Sequence, residues 1–245
     1  EDSWLIGTDA EGIQLRVLAH LMKSEEYVYA IVSGKKEDET DIHNLNRKAL
    51  GMSHITRDMA KTFIYAFLLG AGTAKISHIL KVNQREAKQA VDNFMESIPD
   101  LADLKKKIIP HVAKRGYFKG LDGRRVVVPS EHKALAGMLQ NGESVIMKHA
   151  ALQWTRTAKL NDIPFKLVTW PHDEWQTECP NDVDLAMKIC KLQADSLRIV
   201  GEEYIDKNFT GKEYCEKKGV SIYYNSRDHR FSSTDLRNQV KSATK

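Results

Sequence analysis

Apolar positions along the chain follow two periods, and the switches between them predict its elements. Residues 4–9, Trp-Leu-Ile-Gly-Thr-Asp, form a short apolar run that ends on an acid, which reads as a buried strand closed by Asp9. From Ile13 to Met22 the apolar residues Ile13, Leu15, Val17, Leu18, Leu21 and Met22 predict an amphipathic helix. Residues 24–41 are mixed and acidic, a helix or turn running into a loop, and 42–50 read as a short helix. Residues 57–69 carry the strongest helical pattern, with Thr56 as N-cap and Gly70 and Gly72 punctuating the end. Two more helices are expected near 74–81 and 84–96. A basic helix follows Pro99 and should bend or break before Pro110, whose ring and missing N–H disturb a helix interior.

The period then changes. Residues 117–128 read as a hairpin turning at Asp122-Gly123, followed by a long helix over 131–160. Residues 165–170 are a second strand, His172-Asp173-Glu174 a tight turn with a returning strand, and 182–207 a helix; the polar tail from about 208 gives little to assign. The order predicts an α+β fold: a small antiparallel sheet carrying acids, with a helical insertion between them. No Gly-rich phosphate loop or doubly wound pattern is present.

Composition narrows the class without naming a chemistry. The 245 residues are 42% hydrophobic, enough for one sizeable core or a core plus a lobe. No apolar run reaches membrane-spanning length, so no membrane partner is expected. Three cysteines without metal-type spacing argue against a disulfide framework and a zinc site, and favour a reducing, cytoplasmic setting. The chain starts at Glu1 rather than Met, which reads most simply as a piece of a longer chain or a trimmed product. The net charge is +4, but residues 101–133 hold nine Lys/Arg against three Asp/Glu. A basic stretch of that kind suits phosphates, and equally a solvated face.

Three groups of residues carry candidate chemistry. Asp9 closes one strand and Asp173 and Glu174 lie at a turn between two others, so sheet pairing can bring them to one edge. Carboxylates on a rigid sheet suit two Mg²⁺ ions about 3.5–4 Å apart. Arg57, Lys61 and Tyr65 follow at i, i+4 and i+8, which places two cations and an aromatic ring along one helix face. A solvated cationic stripe with an incidental tyrosine has the same spacing.

The wording of these segments resembles DNA polymerase family A. Asp9-Ala10-Glu11-Gly12-Ile13-Gln14-Leu15-Arg16 is similar to that family's motif A, Arg57 to Gly72 to motif B, and His172-Asp173-Glu174 to motif C. Gly120-Leu121-Asp122-Gly123-Arg124 and Leu139-Gln140 also match, and the resemblance, closest to replicative polymerases of short-tailed phages, covers about residues 4–180. It implies a right-hand palm at 1–22 and 116–245, with a helical fingers insertion at 23–115. It further implies template-directed transfer of a deoxynucleoside monophosphate from dNTP to a primer 3′-OH, with two Mg²⁺ ions for which Mn²⁺ can substitute. Primer–template DNA and dNTP are the implied partners, with thumb and exonuclease portions in a longer chain or a separate subunit. A phage-encoded protein would work in the cytoplasm of a bacterial host.

Residue by residue, the resemblance implies that Asp9, Asp173 and the backbone carbonyl of Ala10 hold the metals, with Glu174 a secondary carboxylate. Arg57 and Lys61 grip the triphosphate, Lys61 also being placed to protonate pyrophosphate. His43, in Asp41-Ile42-His43, contacts the phosphates, and Tyr65 lies against sugar and base. His172 supports the primer end, and Arg124 and Gln140 touch the duplex. Gln14 stands where the family has the Glu that crowds a ribose 2′-OH. Glu11 replaces a Ser, Leu69 a Tyr that stacks near the waiting template base, and Ala136 an Asn. The rival readings are a single-subunit RNA polymerase and a non-catalytic DNA-binding remnant. Tyr65 eight residues after Arg57, and Glu174 after Asp173, favour the DNA enzyme over the first; retention of both acids and Lys61 speaks against the second.

Overall fold

A computed structural model describes residues 3–196 and the backbone of two short strands beyond them, Ile199–Gly201 and Tyr223–Asn225. The described residues fall into two compact units. One takes the chain up to Ile13, Leu121–Gly123 and the residues from Asn141; the other takes Gln14–Gly120 and Arg124–Gln140.

The first unit is built on a three-stranded antiparallel sheet of β1 (Ser3–Asp9), β4 (Lys166–Thr169) and β5 (Glu174–Pro180), ordered β1-β5-β4. Alternation along β5 sends Trp175, Thr177 and Cys179 to the buried face and leaves Glu174, Gln176 and Glu178 on the other. The buried face meets two apolar clusters. One joins Trp175 to Ala10, Ile13, Met147, Ala150, Ala151, Trp154 and Ala158, the last five from α9 (Glu131–Leu160). The other joins Ile6 and Cys179 to Ala186 and Ile189 of α10 (Val183–Ser196). Three polar side chains at this core pair with one another: the Thr8 hydroxyl donates to Gln193 Oε1 at 2.6 Å, and Gln193 Nε2 donates to Thr177 Oγ1 at 2.8 Å. This ties α10 to both strands that carry the candidate acids.

The second unit is helical: α1 (Ile13–Met22, counted here from Gln14), α2 (Glu25–Val32), α3 (Ile42–Ala49), α4 (Arg57–Leu68), α5 (Thr73–Leu80), α6 (Gln84–Ser97), α7 (Pro99–Asp103) and α8 (Ile109–Arg115). Phe63 and Phe67 of α4 pack edge-on against Phe94 of α6, with ring centroids 5.1 and 5.5 Å apart. Fully burying such a ring contributes about 1.5–3 kcal/mol, so this cluster fixes the back of α4. Thr56 caps α4 by accepting from the Met59 N–H at 3.2 Å, as expected. Asn83 and Glu86 form a reciprocal capping box that starts α6.

The disturbance expected before Pro110 takes the form of a π turn, Leu104–Ile108, which joins α7 to α8 without a break. Widening the turn absorbs the residue whose N–H is missing without ending the helix. The helix expected over 182–207 ends at Ser196 among the described residues, and a strand, β6 (Ile199–Gly201), pairs in parallel with β7 (Tyr223–Asn225). Apolar residues past Ser196 extended the helical pattern, which short runs cannot distinguish from a strand. Within the basic stretch, whose role the sequence left open, Lys105 Nζ lies 4.0 Å from the Phe67 ring centroid, and Lys107 pairs with Asp103 at 2.8 Å.

The hairpin β2 (Tyr117–Lys119) and β3 (Arg125–Val127) forms as expected. The Gly120 N–H donates to Arg124 O at 2.8 Å, closing a three-residue loop whose last member, Gly123, has φ 76°. Only glycine enters that left-handed region without strain, which explains the Asp-Gly signal. Among the described residues, no helix is long and apolar enough to cross a membrane.

Candidate active site

Asp9 and the 172–174 turn meet through backbone pairing. In the β1–β5 register Asp9 lies opposite Glu174, and just past the ladder the Ala10 N–H donates to Asp173 O at 2.9 Å. The turn closes by Glu174 N–H to Pro171 O at 3.0 Å, with His172 at φ 52°. The Trp170 indole donates to His172 O at 3.0 Å and pins its outer side. Asp9, Asp173 and Glu174 are thus brought to one sheet edge by groups that are not themselves the functional ones. Asp9 and Glu174, as cross-strand partners, share the face that the apolar core does not cover. Gly7 keeps that face open: a Cβ there would sit 3.0 Å from Gln176 Nε2 and 3.3 Å from Glu174 Oε1. Glu174 accepts a hydrogen bond from Gln176 Nε2, its neighbour two residues along the same face of β5.

The electrostatics of this corner are one-sided. Burial, and then the charges of Asp173, Glu174 and Glu11, push Asp9 above the usual carboxylate range. Among the described residues neither Asp9 nor Asp173 forms an ion pair with a basic side chain. Crowded carboxylates lacking a cationic side chain fit a divalent cation, and the hard oxygen donors fit Mg²⁺. Among the described residues no three His, Cys, Asp or Glu side chains gather as a complete metal cage. The Ala10 carbonyl accepts from the Ile13 N–H at 3.2 Å and has a second lone pair to offer.

The second constellation lies in the helical unit, where α3 and α4 bring His43, Arg57, Lys61 and Tyr65 together. The His43 and Tyr65 rings are 6.4 Å apart. His43 is buried, and burial together with the Arg57 and Lys61 charges holds it below its ordinary pKa despite Asp41. Its Nδ1 has no partner among the described atoms. Lys61 is exposed. Behind the rings, the Tyr27 hydroxyl donates to Asn46 Oδ1 at 2.6 Å, and both residues are buried. Burial raises the Tyr27 phenol well above its ordinary value, so it stays a neutral donor.

Sequence reasoning overlooked the residue that organises this group. Asp41 accepts from Arg57 Nη2 at 2.6 Å and Nε at 3.0 Å, from Asn44 Nδ2 at 2.6 Å, and from the His43 N–H at 3.4 Å. Burial works to raise its pKa, but the Arg57 and Asn44 hydrogen bonds and the Arg57 charge hold the carboxyl below its usual range. The signal was available: an Asp immediately before an apolar-periodic segment is an N-cap.

The remaining expected residues occupy separate elements. Gln14 lies half-buried in the first turn of α1, Arg124 is exposed beside the hairpin turn, and Gln140 is exposed on α9. His172 is exposed at the acid turn itself.

Known proteins share this arrangement of segments. The family model described as DNA polymerase family A matches residues 1–197. The DNA-directed DNA polymerases of Enterobacteria phage T3 and Escherichia phage T7 are each 34% identical to this chain over 224 residues. Each alignment takes in 81% of this chain and 30% of the phage protein. A DNA polymerase I from Streptococcus pneumoniae strain ATCC BAA-255 / R6 is 26% identical, over 77% of this chain and 23% of that protein. The chain therefore spans about 30% of the length of the phage relatives. The solved POL domain of Pol1 from M. smegmatis, in complex with DNA primer-template and dNTP, superposes with a TM-score of 0.66 at 20% identity. That match covers 78% of this chain and 36% of the other. At that identity the likeness speaks for the fold, which is the α+β polymerase arrangement expected from the sequence.

Proposed function

This chain belongs to DNA polymerase family A, and from that premise we propose that it carries the nucleotidyl-transfer site of a template-directed DNA polymerase. The reaction is transfer of a deoxynucleoside monophosphate from dNTP to a primer 3′-OH, with release of pyrophosphate. The observation that supports it most is the backbone pairing that sets Asp9 beside Asp173 and Glu174 on an open sheet edge. The relatives' descriptions as DNA-directed DNA polymerases favour this reading over the RNA polymerase alternative.

In this reading residues 1–22 and 116–245 serve as palm and 23–115 as fingers, a functional division that need not follow the compact units. Asp9, Asp173 and the Ala10 carbonyl would hold the divalent cations, Mg²⁺ with Mn²⁺ as a substitute. When bound, such ions neutralise phosphate charge and activate a hydroxyl. Glu174 adds negative charge at the same edge. Arg57, Lys61 and neutral His43 receive the triphosphate, since phosphoryl transfer needs positioning and charge neutralisation more than covalent help. Lys61 Nζ holds the proton that pyrophosphate takes as it leaves. Tyr65 lies against sugar and base, and Gln14 crowds the ribose 2′ position. His172 supports the primer end. Arg124 and Gln140 meet the minor groove, where every base pair offers an acceptor, so they test pair geometry and not sequence. Thumb and exonuclease portions, and a bacterial cytoplasmic setting, complete the proposal.

Single-turnover primer extension by the whole protein with Mg²⁺ tests it. Asp9→Ala and Asp173→Ala should each slow extension by at least about a thousandfold, equivalent to about 4 kcal/mol of transition-state stabilisation. Primer–template affinity should survive. Extension near the wild-type rate by either variant would refute the assignment.

A further inference from the structure

We propose that Asp41 is a positioning residue for nucleotide binding: it presets the Arg57 guanidinium and the His43 ring as one phosphate-receiving unit. This rests on the polymerase reading above and adds a residue to it.

The geometry is a carboxylate with every site engaged. An ionised carboxylate offers about four lone-pair positions. Here Oδ2 receives Arg57 Nη2 at 2.6 Å, Arg57 Nε at 3.0 Å and the His43 backbone N–H at 3.4 Å, while Oδ1 receives Asn44 Nδ2 at 2.6 Å. The Asp41 side chain is only 12% exposed, and that of Arg57 26%. Asp41 is also the N-cap of α3, and Arg57 is the first residue of α4. One side chain therefore fixes the start of the helix that bears His43 and the head group of the cation that opens the next helix.

Arginine has five N–H donors in a planar fork, and Asp41 engages the Nε–Nη2 edge. The Nη1 edge is left toward solvent and Asp58, whose oxygen lies 3.9 Å away. A guanidinium held along one edge presents the other edge in a set direction. Its rotamer freedom is thus lost during folding and not on binding nucleotide.

A second account of the same contact makes the opposite prediction. If Asp41 only occupied the place of a phosphate, nucleotide would have to displace it, and neutralising it would strengthen binding. The sign of one variant therefore separates positioning from competition.

The test uses the whole protein, with dATP as probe opposite a template thymine. Asp41→Asn keeps the size and the capping oxygen, because Asn caps helices as well as Asp. Positioning predicts about a tenfold rise in KM for dATP with kcat changed much less. Arg57→Ala raises KM more, and Asp41→Asn adds little further in the Arg57→Ala background, since its effect passes through Arg57. Asp41→Glu, which keeps the charge, recovers part of the loss; if Asp41→Asn does not fold, the same cycle is run with Asp41→Glu. A lower KM in Asp41→Asn overturns the proposal in favour of competition. An equal KM change in both backgrounds overturns it in favour of a merely structural cap. A wild-type protein that does not extend the primer rejects the polymerase reading itself, whereas wild-type extension with an unchanged Asp41→Asn rejects only this inference.

Discussion

The acid corner of the sheet unit and the cation corner of the helical unit solve opposite problems. Asp9 and Asp173 are placed by backbone hydrogen bonds and β register, and among the described residues no basic side chain pairs with them. Arg57 and the start of the His43 helix are held through a side chain, the carboxylate of Asp41, which already engages one edge of the guanidinium. In the first corner burial, and then neighbouring like charges, raise Asp9 above the usual carboxylate range. The second has its attraction in place before any ligand arrives. If the first corner takes metal and the second a triphosphate, as proposed, the first is left electrostatically incomplete and the second is ordered in advance.

The largest effect that would sharpen this contrast concerns Lys61, the exposed cation of the second corner. Unlike Arg57 it forms no ion pair among the described residues, so its charge is not committed in the resting state. Negative charge on the leaving pyrophosphate grows in the transition state, and a cation aimed there acts mainly on kcat. Lys61→Ala should lower kcat about 10²–10³-fold, with KM for dNTP moving less than in Arg57→Ala. Pre-steady-state extension measures both constants. A change confined to KM would place Lys61 in the same class as Arg57 and erase the distinction.

Stability should show the contrast as a difference in sign. Asp9 sits above the usual carboxylate range through burial and neighbouring carboxylates, so its ionised form costs folding energy. That cost is present once pH exceeds its raised folded value, and disappears as pH falls below the unfolded value of about 3.9. Asp41 sits below the range, so its contribution is present above about 3.9 and is lost as pH falls through its lowered folded value. With chelator present at neutral pH, Asp9→Asn should raise the melting temperature and Asp41→Asn should lower it, each by a few degrees. The Asp9→Asn difference should close once pH falls below about 3.9, and the Asp41→Asn difference only at lower pH, below its lowered folded value. Melting curves across pH measure them, and a drop for both variants would mean the acid corner carries no unrelieved repulsion.

How far sequence reached follows from which interactions are local. The acids, the turn between β4 and β5 and the cap of α4 were legible because period, Asp-Glu placement and a Thr before an apolar run act over a few residues. The pairing of Arg57 with Asp41 spans sixteen positions and depends on how α3 packs against α4, so no spacing rule announces it. Pro110 was expected to bend or break its helix because the rule is local, whereas the π turn that accommodates it involves Leu104, Ile108 and Ile109 in the core. Lys105 was counted with its neighbours as one basic surface. Only the tertiary position of Phe67 takes it out of that set.

The smallest expected effect follows from that last point, and repeats within one segment the contrast between committed and uncommitted charge. Lys105 is desolvated against Phe67, which lowers its pKa, and Lys107 is paired with Asp103 one turn away. Lys106 is exposed and forms no ion pair among the described residues. If residues 101–133 meet duplex phosphates, only a cation free to neutralise one releases a counterion, and each such contact contributes about 0.9 to the log–log dependence of affinity on salt. Lys106→Gln should therefore reduce that slope by about 0.9. Lys105→Gln should leave it unchanged while loosening the Phe67 contact, and Lys107→Gln should fall between them because Asp103 already offsets its charge. Primer–template binding by the whole protein at several salt concentrations gives the slopes. If Lys105→Gln moves the slope as far as Lys106→Gln, the Lys105 ammonium leaves the aromatic face when DNA binds, and commitment in the free protein does not predict its role in the complex.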